Sequence, residues 1–215
     1  MKKPNAIGFY DYTVILTYAG MLCAFWAILM ILDNRYWDAL ILLMASGLCD
    51  MFDGTVASTK KNRTDQQKRF GIQIDSLSDL LSFGVMPAVF VYEICDKNLM
   101  AGIIGSLFAL AALIRLAFYN VCEEDRQHIT GDEKRAVFYG VPVTTIAVLL
   151  PVVYLLECKK VISGMFPYML LLILVGTGFL LPIEIKKPKL IGKICLIVVG
   201  IIEALGMLFL GWDLI

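Results

Sequence analysis

The chain has 215 residues, with nineteen basic and nineteen acidic side chains, and is 59% hydrophobic with a mean hydropathy of +0.77. A neutral chain this apolar, with its apolar residues in long runs, excludes a nucleic-acid-binding protein and a water-soluble globule and describes an integral membrane protein. The six cysteines, Cys23, Cys49, Cys95, Cys122, Cys158 and Cys195, form no C-x-x-C pair, which argues against a disulfide framework or a zinc site.

A hydrocarbon core of ~30 Å crossed at ~1.5 Å per residue takes about 20 apolar residues. Seven stretches qualify, near residues 13–32, 36–58, 71–94, 99–121, 140–157, 164–183 and 190–212. The first is of spanning length and has no small-residue cleavage site after it, so it is expected to stay as a helix. Links between spans are short, so residues 1–215 are expected to form a single all-α domain, a polytopic membrane helix bundle of about seven helices, within a range of six to eight.

With the N-terminus inside, fourteen of the nineteen basic residues fall on the cytoplasmic side: Lys2, Lys3, Lys60, Lys61, Arg63, Lys68, Arg69, Arg126, Lys134, Arg135, Lys186, Lys187, Lys189 and Lys193. Arg35, Lys97, Lys159 and Lys160 fall outside, and Arg115 lies within a span. Cytoplasmic loops carry the excess of Lys and Arg, so this count selects the orientation, and Trp37 and Trp212 then sit at the outer interface.

The second span, running inward, carries Asp50 and Asp53 near its end; the third, running outward, carries Asp75 and Asp79 near its start. Spacings of three and four residues put each pair on one helix face, and a short loop makes the helices antiparallel neighbours. Four carboxylates thus meet at one depth near the cytoplasmic surface, where they repel each other unless something offsets their charge. Hard divalent cations do so: oxygen ligands suit Mg2+, Mn2+ or Ca2+, and a metal pair bridged by carboxylates serves phosphoryl chemistry. Gly54 directly follows Asp53, and Gly71 stands one turn before Asp75, each removing a side chain where a bulky ligand approaches the backbone.

Residues 50–79 resemble the CDP-alcohol phosphatidyltransferase signature, D-x-x-D-G-x-x-A-R followed by G-x-x-x-D-x-x-x-D, through Asp50, Asp53, Gly54, Ala57, Gly71, Asp75 and Asp79. There are two departures: Ser58 replaces the arginine after Ala57, and the spacer to Gly71 has twelve residues where the family pattern has eight. The longer loop is basic, so Lys60, Lys61 or Arg63 is expected to supply the missing charge to the nucleotide phosphates.

The resemblance implies transfer of a phosphatidyl group from CDP-diacylglycerol to a small alcohol, releasing CMP. It also implies that Asp50, Asp53, Asp75 and Asp79 hold two divalent cations, Mg2+ or Mn2+ with Ca2+ as a further option. Asp79 is then the catalytic base, and Asp53, Gly54, Ala57 and Gly71 form the nucleotide side of the site. A homodimer in the inner or plasma membrane, with the active site facing the cytoplasm, is the further expectation.

Later segments narrow the acceptor. "RLAFYN" (Arg115–Asn120), "FYGVP" (Phe138–Pro142) and "DSLSDLLSFGVMPA" (Asp75–Ala88) are similar to stretches of the phosphatidylserine synthases within this family. L-serine is therefore the preferred acceptor, with Arg115 and Asn120 as candidates for its carboxylate and ammonium. Glycerol 3-phosphate, inositol and inositol phosphate are the alternatives. A cation transporter would place its acids at the bilayer midplane, and a prenyltransferase does not suit the D-G-x-x-A context.

Overall fold

The computed structural model describes residues 8–60, 62–129, 137–186, 200 and 206. A 3-10 turn, Tyr12–Val14, leads into α1 (Ile15–Leu32), followed by α2 (Tyr36–Thr59) and α3 (Asp65–Asp79). A π-helical stretch, Leu80–Val85, joins α3 to α4 (Met86–Ile94), so that Asp65–Ile94 is one rod, and α5 (Leu99–Ile129) follows. Next come β1 (Val137–Tyr139), a 3-10 turn at Val143–Thr145, α6 (Ile146–Cys158), α7 (Phe166–Leu180) and β2 (Glu184–Lys186).

Four helices are long and apolar enough to cross a membrane, Tyr12–Leu32, Tyr36–Thr59, Asp65–Ile94 and Leu99–Asp125; Val143–Cys158 and Phe166–Leu180 are shorter apolar helices. The expected all-α membrane bundle is what the structure shows, with one addition. Among the described residues β1 and β2 form a minimal antiparallel ribbon, Val137 opposite Lys186 and Tyr139 opposite Glu184. The seventh expected span, 190–212, lies outside the described residues apart from Gly200 and Gly206.

Two boundaries differ from the sequence expectation. The third helix begins at Asp65 rather than at 71 because Thr64 and Gln67 form a reciprocal capping box: the Thr64 side chain accepts from the Gln67 amide, and Gln67 Oε1 accepts from the Thr64 amide. The hydropathy limit near 71 marks where the rod enters the apolar layer, not where helix starts. Likewise α5 continues past 121 to Ile129 through a charged stretch that water can solvate.

Lipid and protein faces separate cleanly. On α5, Ile103, Leu107, Leu110, Ile114, Phe118 and Val121 are exposed at three- and four-residue spacing, a stripe that faces the bilayer. The core is built from Ile31, Leu40, Leu43, Phe83, Met86, Phe90, Ile146, Leu150, Tyr168 and Leu172, all fully buried. On α1 the buried residues are Thr17, Gly20, Ala24, Ala27 and Ile31. Small side chains at that spacing let two backbones approach, and a Cβ on Gly20 would stand 3.3 Å from Cys49 Cβ and 3.4 Å from Ser46 Oγ of α2.

The segment before α6 is a dock. Gly140 N donates to Ile183 O and Val141 N to Gly178 O, each at 2.8 Å, tying this segment to the end of α7. Gly140 has φ +73°, and a Cβ there would lie 2.7 Å from Phe179 O. Tyr119 of α5 completes the joint, its hydroxyl donating to Tyr139 O and accepting from Tyr139 N, both at 2.6 Å. The "FYGVP" motif therefore serves here as a backbone joint. Gly140→Ala is expected to cost about 1–3 kcal/mol through left-handed backbone and carbonyl contact, read as a lower melting temperature in detergent.

At the opposite corner Phe9 packs edge-on against Phe70 at 5.3 Å, and Lys60 Nζ pairs with Asp11 Oδ2 at 2.7 Å, so the N-terminal segment bridges the loop ends of α2 and α3. The hydrogen bond from Lys60, with that from Thr13, lowers the Asp11 carboxyl from the usual 3.8 to about 2. A depressed folded-state value means that the contribution is whole above pH 3.8 and is lost as pH falls through about 2. A carboxyl resonance of Asp11 that titrates near 2, and returns toward 3.8 in Lys60→Ala, is the expected result.

Candidate active site

Asp50 and Asp53 sit nine and six residues before the end of α2, and Asp75 ten residues after the start of α3. At ~1.5 Å rise per residue the α2 pair lies roughly 9–14 Å and the α3 pair roughly 15–21 Å along its helix from the connecting loop. Antiparallel packing then brings them face to face. One carboxylate oxygen from each of Asp50, Asp75 and Asp79 lies within 4.8 Å of the others. Asp53 lines the same cavity.

Asp53 stands apart from that trio. It is buried, with 8% of its surface exposed, and Thr17 Oγ1 of α1 donates to its Oδ2 at 3.1 Å. The Thr17 carbonyl in turn accepts from Ser78 Oγ of α3 at 3.2 Å. One residue of α1 thus ties the two aspartate-bearing helices together and fixes the orientation of Asp53. Sequence reasoning missed Thr17, because the motif spans only α2 and α3; the small-residue stripe on α1, with Thr17 at its site end, is the signal that was available.

The π-helical stretch directly after Asp79 was likewise unforeseen. Its wider turn buries Ser82, Phe83 and Gly84, and Ser46 Oγ donates to Ser82 Oγ at 2.9 Å. The four aspartates, Thr17, Gly20, Ser46 and Ser78 line a tight cavity with room for little more than a water molecule or a bare ion.

The donor set fits a hard cation. Asp75 Oδ1 is buried with no hydrogen-bond partner, and among the described residues no lysine or arginine forms an ion pair with any of the four aspartates. Converging carboxylate oxygens without a protein cation form the environment that Mg2+, Mn2+ or Ca2+ satisfies.

Other expected site residues fall around this centre. Gly54 faces open space, since a Cβ there would meet nothing within 4 Å, while the Gly71 face is covered by Arg63. Ala57 lies three residues beyond Gly54 on α2. Arg115 of α5 is 9% exposed, its guanidinium lies 4.6 Å from the Tyr119 ring centroid, its Nε has no partner, and Asp79 is within electrostatic reach. Asn120 is five residues further along α5 and borders α3: its Oδ1 accepts from Ser76 Oγ at 2.7 Å, and its Nδ2 donates to Gln73 Oε1 at 3.3 Å.

The sequence profile of CDP-alcohol phosphatidyltransferases matches residues 12–181. The chain belongs to the CDP-alcohol phosphatidyltransferase family. Its relatives include an archaetidylserine synthase of Methanothermobacter thermautotrophicus, 30% identical over 193 residues that cover 89% of this chain and 76% of that one. A CDP-diacylglycerol–serine O-phosphatidyltransferase of Methanocaldococcus jannaschii is 31% identical over 87% of this chain and 84% of its own. One of the same description from Helicobacter pylori is 29% identical over 83% and 70%. This phosphatidyltransferase is therefore a membrane-embedded transferase, and membership decides against the transporter and prenyltransferase readings.

Thr17→Val keeps the volume and removes the bond to Asp53. With Asp53 as a cation ligand, loss of such an outer hydrogen bond would cost about 10- to 100-fold in metal affinity, which manganese titration by electron paramagnetic resonance would read, with Thr17→Ser restoring it.

Proposed function

We propose that this phosphatidyltransferase moves the phosphatidyl group of CDP-diacylglycerol to the hydroxyl of L-serine, yielding phosphatidylserine and CMP. The observation that carries the transfer chemistry is the convergence of Asp50, Asp75 and Asp79 within 4.8 Å, unpaired with any described protein cation. Serine as acceptor is supported by the relatives, whose names share serine as the head group. It is supported also by a buried arginine with an unused Nε within reach of Asp79.

Asp50, Asp53, Asp75 and Asp79 hold two divalent cations in this reading. When bound, these neutralise the diphosphate of the donor and the charge that develops on departing CMP. Asp79 takes the proton of the serine hydroxyl; the serine oxygen forms a bond to the lipid-bearing phosphorus, and the bond from that phosphorus to the bridging diphosphate oxygen breaks, with the electron pair leaving on CMP. Thr17 keeps Asp53 turned toward the ligands. Arg115 binds the serine carboxylate through its planar fork, and the second lone pair of Asn120 Oδ1 receives the ammonium. The N-terminus and the mouth of the site face the cytoplasm, on the strength of the basic loop residues, and the enzyme works as a homodimer, on the family resemblance.

Purified protein in detergent with CDP-diacylglycerol and manganese should release CMP with L-serine, and not with glycerol 3-phosphate, inositol or no acceptor. Release with one of the others and not with serine replaces the acceptor assignment. Asp79→Asn should lower turnover about 10²- to 10⁴-fold while retaining part of the manganese binding. Arg115→Ala should raise the KM for serine about tenfold or more and leave that for CDP-diacylglycerol unchanged; an unaltered serine KM refutes Arg115 as the carboxylate anchor.

A further inference from the structure

The family pattern places an arginine directly after Ala57, where this chain has Ser58. Ser58 is exposed, and its Oγ donates to the Thr55 carbonyl of its own helix at 2.7 Å, so it offers the site no charge. The twelve-residue spacer that follows is four longer than the family's eight. Arg63 stands in the link between the end of α2 and the Thr64 cap of α3.

From there Arg63 folds back onto α3. Its Nη2 donates to Gln67 O at 3.1 Å and lies 2.6 Å from where a Cβ of residue 71 would be, so the guanidinium occupies the space that Gly71 leaves open. Its Nε is buried with no partner. Gly71 is one helical turn from Asp75, so the position this guanidinium covers lies on the loop side of Asp75 along α3. Other cations of the spacer are engaged elsewhere: Lys60 is held by Asp11 at 2.7 Å, and Arg69 leans toward Glu124 at 4.0 Å. Lys61 lies outside the described residues.

We propose that Arg63 is a donor-binding residue, its guanidinium binding the diphosphate of the CDP-linked lipid in place of the arginine that Ser58 displaces. The inference rests on the transferase reading above. A planar guanidinium matches two phosphate oxygens at once, and a position over a bare glycine lets the nucleotide approach the helix backbone and the cation together. Gly71 acquires a specific role: a methyl group at 2.6 Å would push the guanidinium away and remove the contact without removing the charge.

The test measures binding of CDP, with manganese, to the full chain in detergent, alongside KM for both substrates. Arg63→Ala is expected to weaken CDP binding and raise the KM for CDP-diacylglycerol about tenfold or more, with serine KM unchanged. Gly71→Ala should do the same, and Arg63→Lys should lose less. Ser58 is four residues from Gly54 on one face of α2, beside open space, so Ser58→Arg in the Arg63→Ala background should restore donor binding.

CDP affinity in Arg63→Ala within about twofold of the unaltered protein overturns the assignment; tighter binding also overturns it and makes the guanidinium a plug. A loss that Ser58→Arg does not repair and that comes with a lowered melting temperature assigns Arg63 to loop structure instead. An unaltered protein that neither binds CDP nor releases CMP with any acceptor sinks the transferase reading itself, whereas an active protein indifferent to Arg63 sinks only this inference.

Discussion

Mutual repulsion among Asp50, Asp53, Asp75 and Asp79 is the constraint on which the rest of the molecule depends. Carboxylates gathered below the membrane surface, with three of them within 4.8 Å, do not stay together for their own sake. Tertiary packing must force them into proximity, and a bound cation would offset the repulsion. An antiparallel helix pair with a capped, charged loop provides the proximity, and the absence of a lysine or arginine partner among the described residues leaves the charge for metal ions.

That demand explains features that look unrelated when taken singly. The small-residue face of α1 lets Thr17 come close enough to hold Asp53 and receive Ser78. The π-helical turn after Asp79 and the Ser46–Ser82 bond anchor the outward half of the rod to α2. On the far side α5 brings a buried guanidinium toward Asp79, and the Tyr119–Tyr139 joint with Gly140 locks α5 to the α7 end. The Thr17 and Ser46–Ser82 contacts resist the separation of α2 from the α3 rod that the aspartates would otherwise favour.

Much of this was legible in the residues. The i,i+3 and i,i+4 spacing of the aspartates and the hydropathy runs on either side predict four acids at one depth; in the structure Asp50, Asp75 and Asp79 converge within 4.8 Å and Asp53 lines the same cavity. Hydropathy sets the start of the third helix too late, because it reports where the rod meets lipid, whereas the Thr64–Gln67 box starts the helix in polar surroundings. Thr17 and the π-turn escaped because neither lies in the signature: one acts across helices distant in sequence, the other is a backbone choice without a marker residue. In the sequence "FYGVP" carries only a likeness to the phosphatidylserine synthases, and the positive φ of Gly140 with its carbonyl neighbours makes it a joint. Among the basic residues of the long spacer, composition alone did not separate Lys60 from Arg63; the Asp11 pair and the Gly71 gap do.

The most direct test is the melting temperature of the purified chain in detergent, with manganese and with a chelator, for the unaltered protein and for Asp79→Asn. If shared cations offset the repulsion, manganese raises the melting temperature of the unaltered protein, and in chelator Asp79→Asn, with one charge fewer, melts above it while gaining less from the metal. A melting temperature indifferent to manganese and chelator, with Asp79→Asn no more stable than the unaltered chain, would contradict the account.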